Sequence, residues 1–258
     1  MRYALHAEYT KLRTLPSTGW LLLAVVALTV GVGAAAAATV SCHATGCGYD
    51  APKLALSGVL AGQAVVALLA ITAVTGEHST GTAAVTLAAV PRRGRVLVAK
   101  AIVLAGLTGA AGTVGVLCSV LVARLLLPGN GFTAANGYPP LSLADGATLR
   151  AAAGSVLYLI LIALFGLGVG TAARDAAASV GVTGGVVYVL QIAPFLVTDP
   201  DWQQALWRLS PTNAGLTIQA TRNLSAYPLG PWAGLGVLAA WTTVALAIGA
   251  VLSHRRDL

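Results

Sequence analysis

The chain has 258 residues, 57% hydrophobic and only 9% charged, with a mean hydropathy of +0.82. A soluble globular domain carries about 25% charged residues, so this composition cannot cover a water-facing surface and a soluble enzyme is excluded. The net charge of +7 and pI near 9.7 fit basic anchoring at a membrane surface, whereas nucleic-acid binding needs a basic face that the chain lacks.

Residues 1–17 read as an interfacial helix, with Tyr3, Leu5, Tyr9, Leu12 and Leu15 as apolar contacts among polar residues that include Glu8, Lys11 and Arg13. Pro16 and Gly19 let the chain turn into a first span over about 18–40. A secretory signal competes for this segment, but its apolar core would be 7–15 residues long and this run is longer. An outer loop follows, in which Cys42 and Cys47 are spaced for a small local bridge or remain two free thiols. The neighbouring His43 is not a metal signature alone, and no metal site is expected.

Four uncharged stretches of 23 residues then follow, bounded by Lys53 and Glu77, Lys100 and Arg124, Arg150 and Arg174, and Asp175 and Asp199. A bilayer core needs about 20 apolar residues per helix, so each stretch can span. The predicted spans are 54–76, 96–126, 150–173 and 176–198, and a sixth covers 231–253. Between the second and third lies EHSTGTAAVTLAAVPRRGRVLVAK, residues 77–100. Ser79 or Thr80 can cap a helix there and Pro91 ends it. The segment reads either as a helix along the inner membrane face or as an ordinary basic loop.

The third span holds Gly106, Gly109, Gly112 and Gly115, while Gly58 with Gly62 and Gly230 with Gly234 repeat at a spacing that lets helices approach closely. Residues 124–150 form an outer loop that need not be regular. Spans four and five are joined only by residues 172–175. One continuous helix of both would be about 70 Å long, so a tight hairpin is required. Within 199–231, Trp202, Leu206 and Leu209 recur at helical spacing, which predicts a helix dipping into the outer interface.

Six spans alternate sides. With both ends inside, ten of the fifteen Lys and Arg residues are internal and five external, and the positive-inside rule selects that orientation. The expected fold is therefore an all-α polytopic membrane protein in which residues 1–258 form one transmembrane domain.

No Asp, Glu, Lys or Arg falls in the interior of a span, away from its ends, which argues against ion-driven transport and intramembrane proteolysis. No lysine follows a glycine as a phosphate-binding loop requires, so ATP hydrolysis is not expected in this chain. Gln63, Tyr158, Tyr188 and Gln191 are the isolated polar groups, suited to lining a path or to bonding across helix interfaces.

Several segments resemble one family. EYTKLRTLPSTGW near the start, GEHSTGTAAVTLAAVPRRGRVLVAK, RDAAAS after the fourth span, LSPTNAG in the last outer loop and the terminal RRD are similar to those of permease subunits of type-2 ATP-binding-cassette (ABC) exporters, particularly actinobacterial ones. The resemblance implies a non-catalytic, multi-pass permease of a bacterial plasma membrane with both termini cytoplasmic. It would pair with itself or a similar permease and bind two copies of a separate ATPase. The chain would hold no cofactor, ATP and magnesium belonging to the partner. Residues 77–100 would then be a coupling helix seated on the ATPase, with Glu77, Thr80, Gly81 and Thr82 at its start and Arg92 and Arg93 at its exit. The surface helix carrying Glu8, Lys11 and Arg13 would support that contact. The alternative is a membrane scaffold or sensor that recruits a cytoplasmic partner without transporting.

Overall fold

The computed structural model describes residues 2–42, 47–79 and 93–255. Among these there is no strand, and six helices are long and apolar enough to cross a membrane. A short surface helix α1 (Arg2–Thr14) leads into the first span, α2 (Pro16–Thr39), whose first turn begins with the proline that needs no intrahelical partner. A single turn, α3 (Ala51–Ala55), precedes the second span, α4 (Val59–Ser79), and α5 (Arg93–Leu126) is the third. The fourth span is α6 (Gly146–Ala173). Its cap, Asp145, accepts from Thr148, and that backbone N–H, reinforced by the Thr148 hydroxyl, holds the carboxyl below the usual carboxylate range.

The reversal into the fifth span takes two residues. Arg174 adopts a left-handed conformation that closes α6, and Asp175 caps α7 (Ala176–Gly184) by accepting from Ala178 at 2.7 Å. The span is irregular: a π turn at Gly185–Val189 joins α7 to α8 (Leu190–Leu196), and Pro194 lies within α8. Next come α9 (Pro200–Leu209), α10 (Pro211–Gly215) and a 3₁₀ turn, Leu216–Gln219, before the sixth span, α11 (Pro231–Arg255). An even number of crossings puts both ends of the bundle's chain on one side, the terminal face. The loops after α2, α5 and the fifth span lie on the opposite face.

α6 is the hub on which α4, α5 and α11 pack. Its Tyr158, Leu159, Ile162, Ala163 and Leu167 are completely or almost completely buried. The fifth span is the least buried of the six. Small residues bring the first two spans together: a Cβ at Gly58 would lie 1.9 Å from the Thr29 carbonyl oxygen, so only glycine permits that approach. At the same junction Ser119 of α5 donates to the Thr29 carbonyl at 3.2 Å.

The segment 210–219 folds back into the bundle instead of lying on it. Thr212, Ala214, Thr217, Ile218 and Gln219 are buried, and α10 rests on α11 so closely that a Cβ at Gly234 would be 2.0 Å from the Ala214 oxygen. By contrast α9 is exposed throughout or nearly so, with Trp202 and Leu209 uncovered and positioned for an interface.

On the opposite face Cys42 and Cys47 form a disulfide. The Cys42 N–H donates to the Asn130 carbonyl at 2.8 Å and the Asn136 amide donates to the Cys42 carbonyl at 3.2 Å, which ties the bridged loop to the residues after α5. Cys118 remains a free thiol in α5.

Candidate functional site

Four charged side chains meet at the terminal face. On α1, Leu5, Glu8 and Leu12 recur at i, i+3 and i+7, and this stripe turns inward. Glu8 and Leu12 are 4% and 3% exposed, while Tyr3 is 92% exposed and Tyr9 and Leu15 are also uncovered. Glu8 is carried against α5, where Lys100 sits about two turns after Arg93. Lys100 donates to Glu8 Oε2 at 2.7 Å and to Glu77 Oε1 at the end of α4. Lys11 donates to the same Glu77 oxygen. Two carboxylates and two ammonium groups therefore balance in a site where Glu8, Glu77 and Lys100 are nearly excluded from water. The fourth member, Lys11, keeps a third of its side chain exposed.

Such a cluster is costly to assemble and more costly to break, because a carboxylate left without its cation has neither water nor a partner. It fastens α1, the end of α4 and the start of α5 to each other, and so brackets residues 80–92 on both sides. Arg13 points outward. Thr80, Gly81, Thr82 and Arg92 lie outside the described residues, and of Arg93 only the backbone is described. A cavity of about 500 Å³ opens beside the cluster between α1, α2 and α4.

A second polar group occupies the middle of the bundle. Gln63 and Tyr158 are fully buried, and the tyrosine hydroxyl donates to Gln63 Oε1. The Tyr188 hydroxyl of the fifth span lies near Gln63, whose amide nitrogen is buried without a hydrogen-bond partner. The structure thus gathers Gln63, Tyr158 and Tyr188 and leaves the Gln191 side chain on a separate cavity at the opposite face.

LSPTNAG supplies the link between the fifth span and the rest. Ser210 Oγ accepts from the Asn213 N–H at 3.2 Å and caps α10. Thr212 then donates to the Val187 carbonyl at 2.8 Å, and the Asn213 amide donates to the Gln191 carbonyl at 2.9 Å. Those carbonyls lie within the stretch where the π turn and Pro194 disturb the helical ladder, and in lipid a freed backbone group must find a protein partner. Trp241 Nε1 donates to the Leu209 carbonyl at 3.0 Å and fastens the start of the motif to α11.

Lys100, Thr212 and Asn213 were not among the predicted site residues, nor was Asp50. Lys100 reads in sequence as the edge of an apolar run, and its inward direction is set by α1. The signal available for Asp50 was the Asp-Ala-Pro start of α3, whose cap it is; it also accepts from Thr221 Oγ1 at 2.7 Å and from the Arg222 N–H at 2.9 Å.

Six apolar spans, a hub helix with close glycine-mediated crossings, and charge gathered at the two ends of the bundle define a polytopic helical membrane protein. No curated protein matches the sequence. The model of a family described as ABC-2 family transporter protein matches residues 54–258, from just before the second span onward. The chain belongs to the ABC-2 transporter family and is one of its multi-pass membrane proteins, in keeping with a transport permease.

Proposed function

We propose that the chain is the membrane-spanning subunit of an ATP-driven ABC exporter, and that its terminal face is cytoplasmic and docks a separate ATPase subunit. The subunit catalyses no bond change itself. The observation that supports the coupling is the buried Glu8–Lys100–Glu77–Lys11 cluster, which fastens α1, the end of α4 and the start of α5 to one another. The segment 77–100 seats on the ATPase as the coupling element, with Glu77, Thr80, Gly81 and Thr82 at the entry and Arg92 and Arg93 at the exit. When two ATPase copies close on ATP, the displacement passes through the clamp to the surface helix and to two spans together. Two permease chains then switch the path between inward and outward access. The disulfide on the opposite face supports the orientation, because such bridges persist outside the reducing cytoplasm and a bacterial plasma membrane separates the two.

Co-expression with the cognate ATPase tests this reading. The ATPase is expected to co-purify with the chain, and replacing Gly81, Thr82 and Arg92 together is expected to lower transport-coupled hydrolysis while insertion is unchanged. An intact complex with unaltered hydrolysis and transport after that triple replacement would remove the coupling assignment.

A further inference from the structure

The cavity holding Gln191 has a volume of about 490 Å³ and opens on the opposite face between α3, the start of α4, α8 and the Trp207 end of α9. That volume lies in the range of small-molecule sites. Its polar wall carries one cation, Lys53, and one carboxylate, Asp50. Lys53 Nζ donates to the Tyr227 hydroxyl at 2.8 Å and lies 4.9 Å from the centre of the same ring, which in turn packs against Trp207. Among the described residues no carboxylate pairs with Lys53. The nearby Asp50 is instead occupied by backbone and hydroxyl donors from Lys53, Thr221 and Arg222. The Ser57 hydroxyl also lines the cavity and is buried without a hydrogen-bond partner.

The other wall is apolar and continues out of the cavity. Phe195 lines it and is 73% exposed, and Leu196 and Ile192 beside it on α8 are exposed as well. Gln191 lies five residues before the end of α8, about 7.5 Å along the helix axis, so the cavity runs alongside the outer end of an apolar span. A simple interfacial lysine would extend toward solvent. Lys53 turns to an aromatic pair over an amphipathic cavity.

We infer that this cavity binds an acidic amphiphile, its phosphate or carboxylate head on Lys53 with the Ser57 hydroxyl nearby, and its apolar chain along Phe195, Leu196 and Ile192. A charge-assisted hydrogen bond from an otherwise unpaired ammonium selects an anionic head over a cationic one by about tenfold or more. The inference names a ligand class for the permease proposed above and rests on that reading for its transport meaning.

The test uses the whole chain without ATPase in phosphatidylcholine nanodiscs, and two diazirine-bearing dodecyl probes that differ only in a phosphate or a trimethylammonium head. The phosphate probe is expected to label residues 192–196 about tenfold more than the ammonium probe, read by peptide mass spectrometry. Lys53→Gln should bring the two probes level, Lys53→Arg should restore the preference, and Tyr227→Phe should retain it because the charge remains. Equal labelling by both probes in the unaltered chain, or a preference that survives Lys53→Gln, overturns the inference. Competition by phosphatidylglycerol in the nanodisc identifies the natural source as a bilayer lipid. Its lack of effect identifies a free amphiphile of the same chemistry. Because no ATPase is present, loss of head-group selectivity removes this site while leaving the coupling proposal, and failed ATPase co-purification does the reverse.

Discussion

Replacing Lys100 with methionine should damage the protein more than any other single change in the terminal-face cluster. Lys100 bridges Glu8 and Glu77 and is almost wholly buried. Without it, two carboxylates share one remaining cation, and that cation reaches only Glu77. Glu8 is then a buried charge with no counter-ion, for which the expected cost is about 3–5 kcal/mol. Lys11→Met is milder, about 1 kcal/mol or less, because Lys100 still neutralises Glu77 and Lys11 is partly hydrated. In a heating series on the purified protein, read by the fraction surviving size exclusion, Lys100→Met should lower the midpoint by about 6–20 °C, at about 2–4 °C per kcal/mol. Combining Lys100→Met with Glu8→Gln should recover part of the loss, since the stranded charge goes with its partner. Equal midpoints for Lys100→Met and Lys11→Met, or strictly additive losses in the double variant, would refute the account of a closed charge network.

Gly58→Ala should destabilise by about 1–3 kcal/mol because the new methyl meets the Thr29 carbonyl, whereas Gly106→Ala, at an open helix position, should be neutral or stabilise by up to about 1 kcal/mol in the same assay. In the denatured, unreduced chain a maleimide should modify Cys118 alone, and all three cysteines after reduction; two further reactive thiols before reduction would contradict the Cys42–Cys47 bridge. Cutting that bridge should cost about 2 kcal/mol from loop-closure entropy over its short loop. In a cysteine-labelling series, an impermeant reagent should reach Arg13→Cys only in inside-out vesicles and Arg208→Cys only in intact cells. The reverse pattern would invert the proposed orientation.

Spacing of charge made the six spans legible, because lipid excludes ionic groups along about 30 Å of helix and four uncharged runs of 23 residues meet that length. The hairpin at Arg174 and Asp175 followed from the same arithmetic. What convergence adds was not legible. Gln63 and Tyr158 are 95 positions apart, and Glu8 and Lys100 are 92 apart, and no local period announces either pair. For α1 the apolar residues alone were a poor guide: Leu5 and Leu12 face inward with Glu8, while Tyr3, Tyr9 and Leu15 do not. Lys100 illustrates why, since a charge at the rim of an apolar run has the same sequence signature whether it meets water or a buried carboxylate. The fifth span carried its own warning in Gly184, Gly185 and Pro194, residues that weaken a helical ladder. That the partners would come from Thr212 and Asn213 required the fold.

The π turn and the inserted segment together make the fifth span behave as a jointed lever. Its α7 half is gripped by α4 and α6, whereas its α8 half contacts chiefly α9 and α10. A tilt of the free arm would pull on Thr212 and Asn213 before it strained any long helix, and α10 would pass that pull to α11. A change of shape confined to that half of one span would thus have a mechanical route to the last.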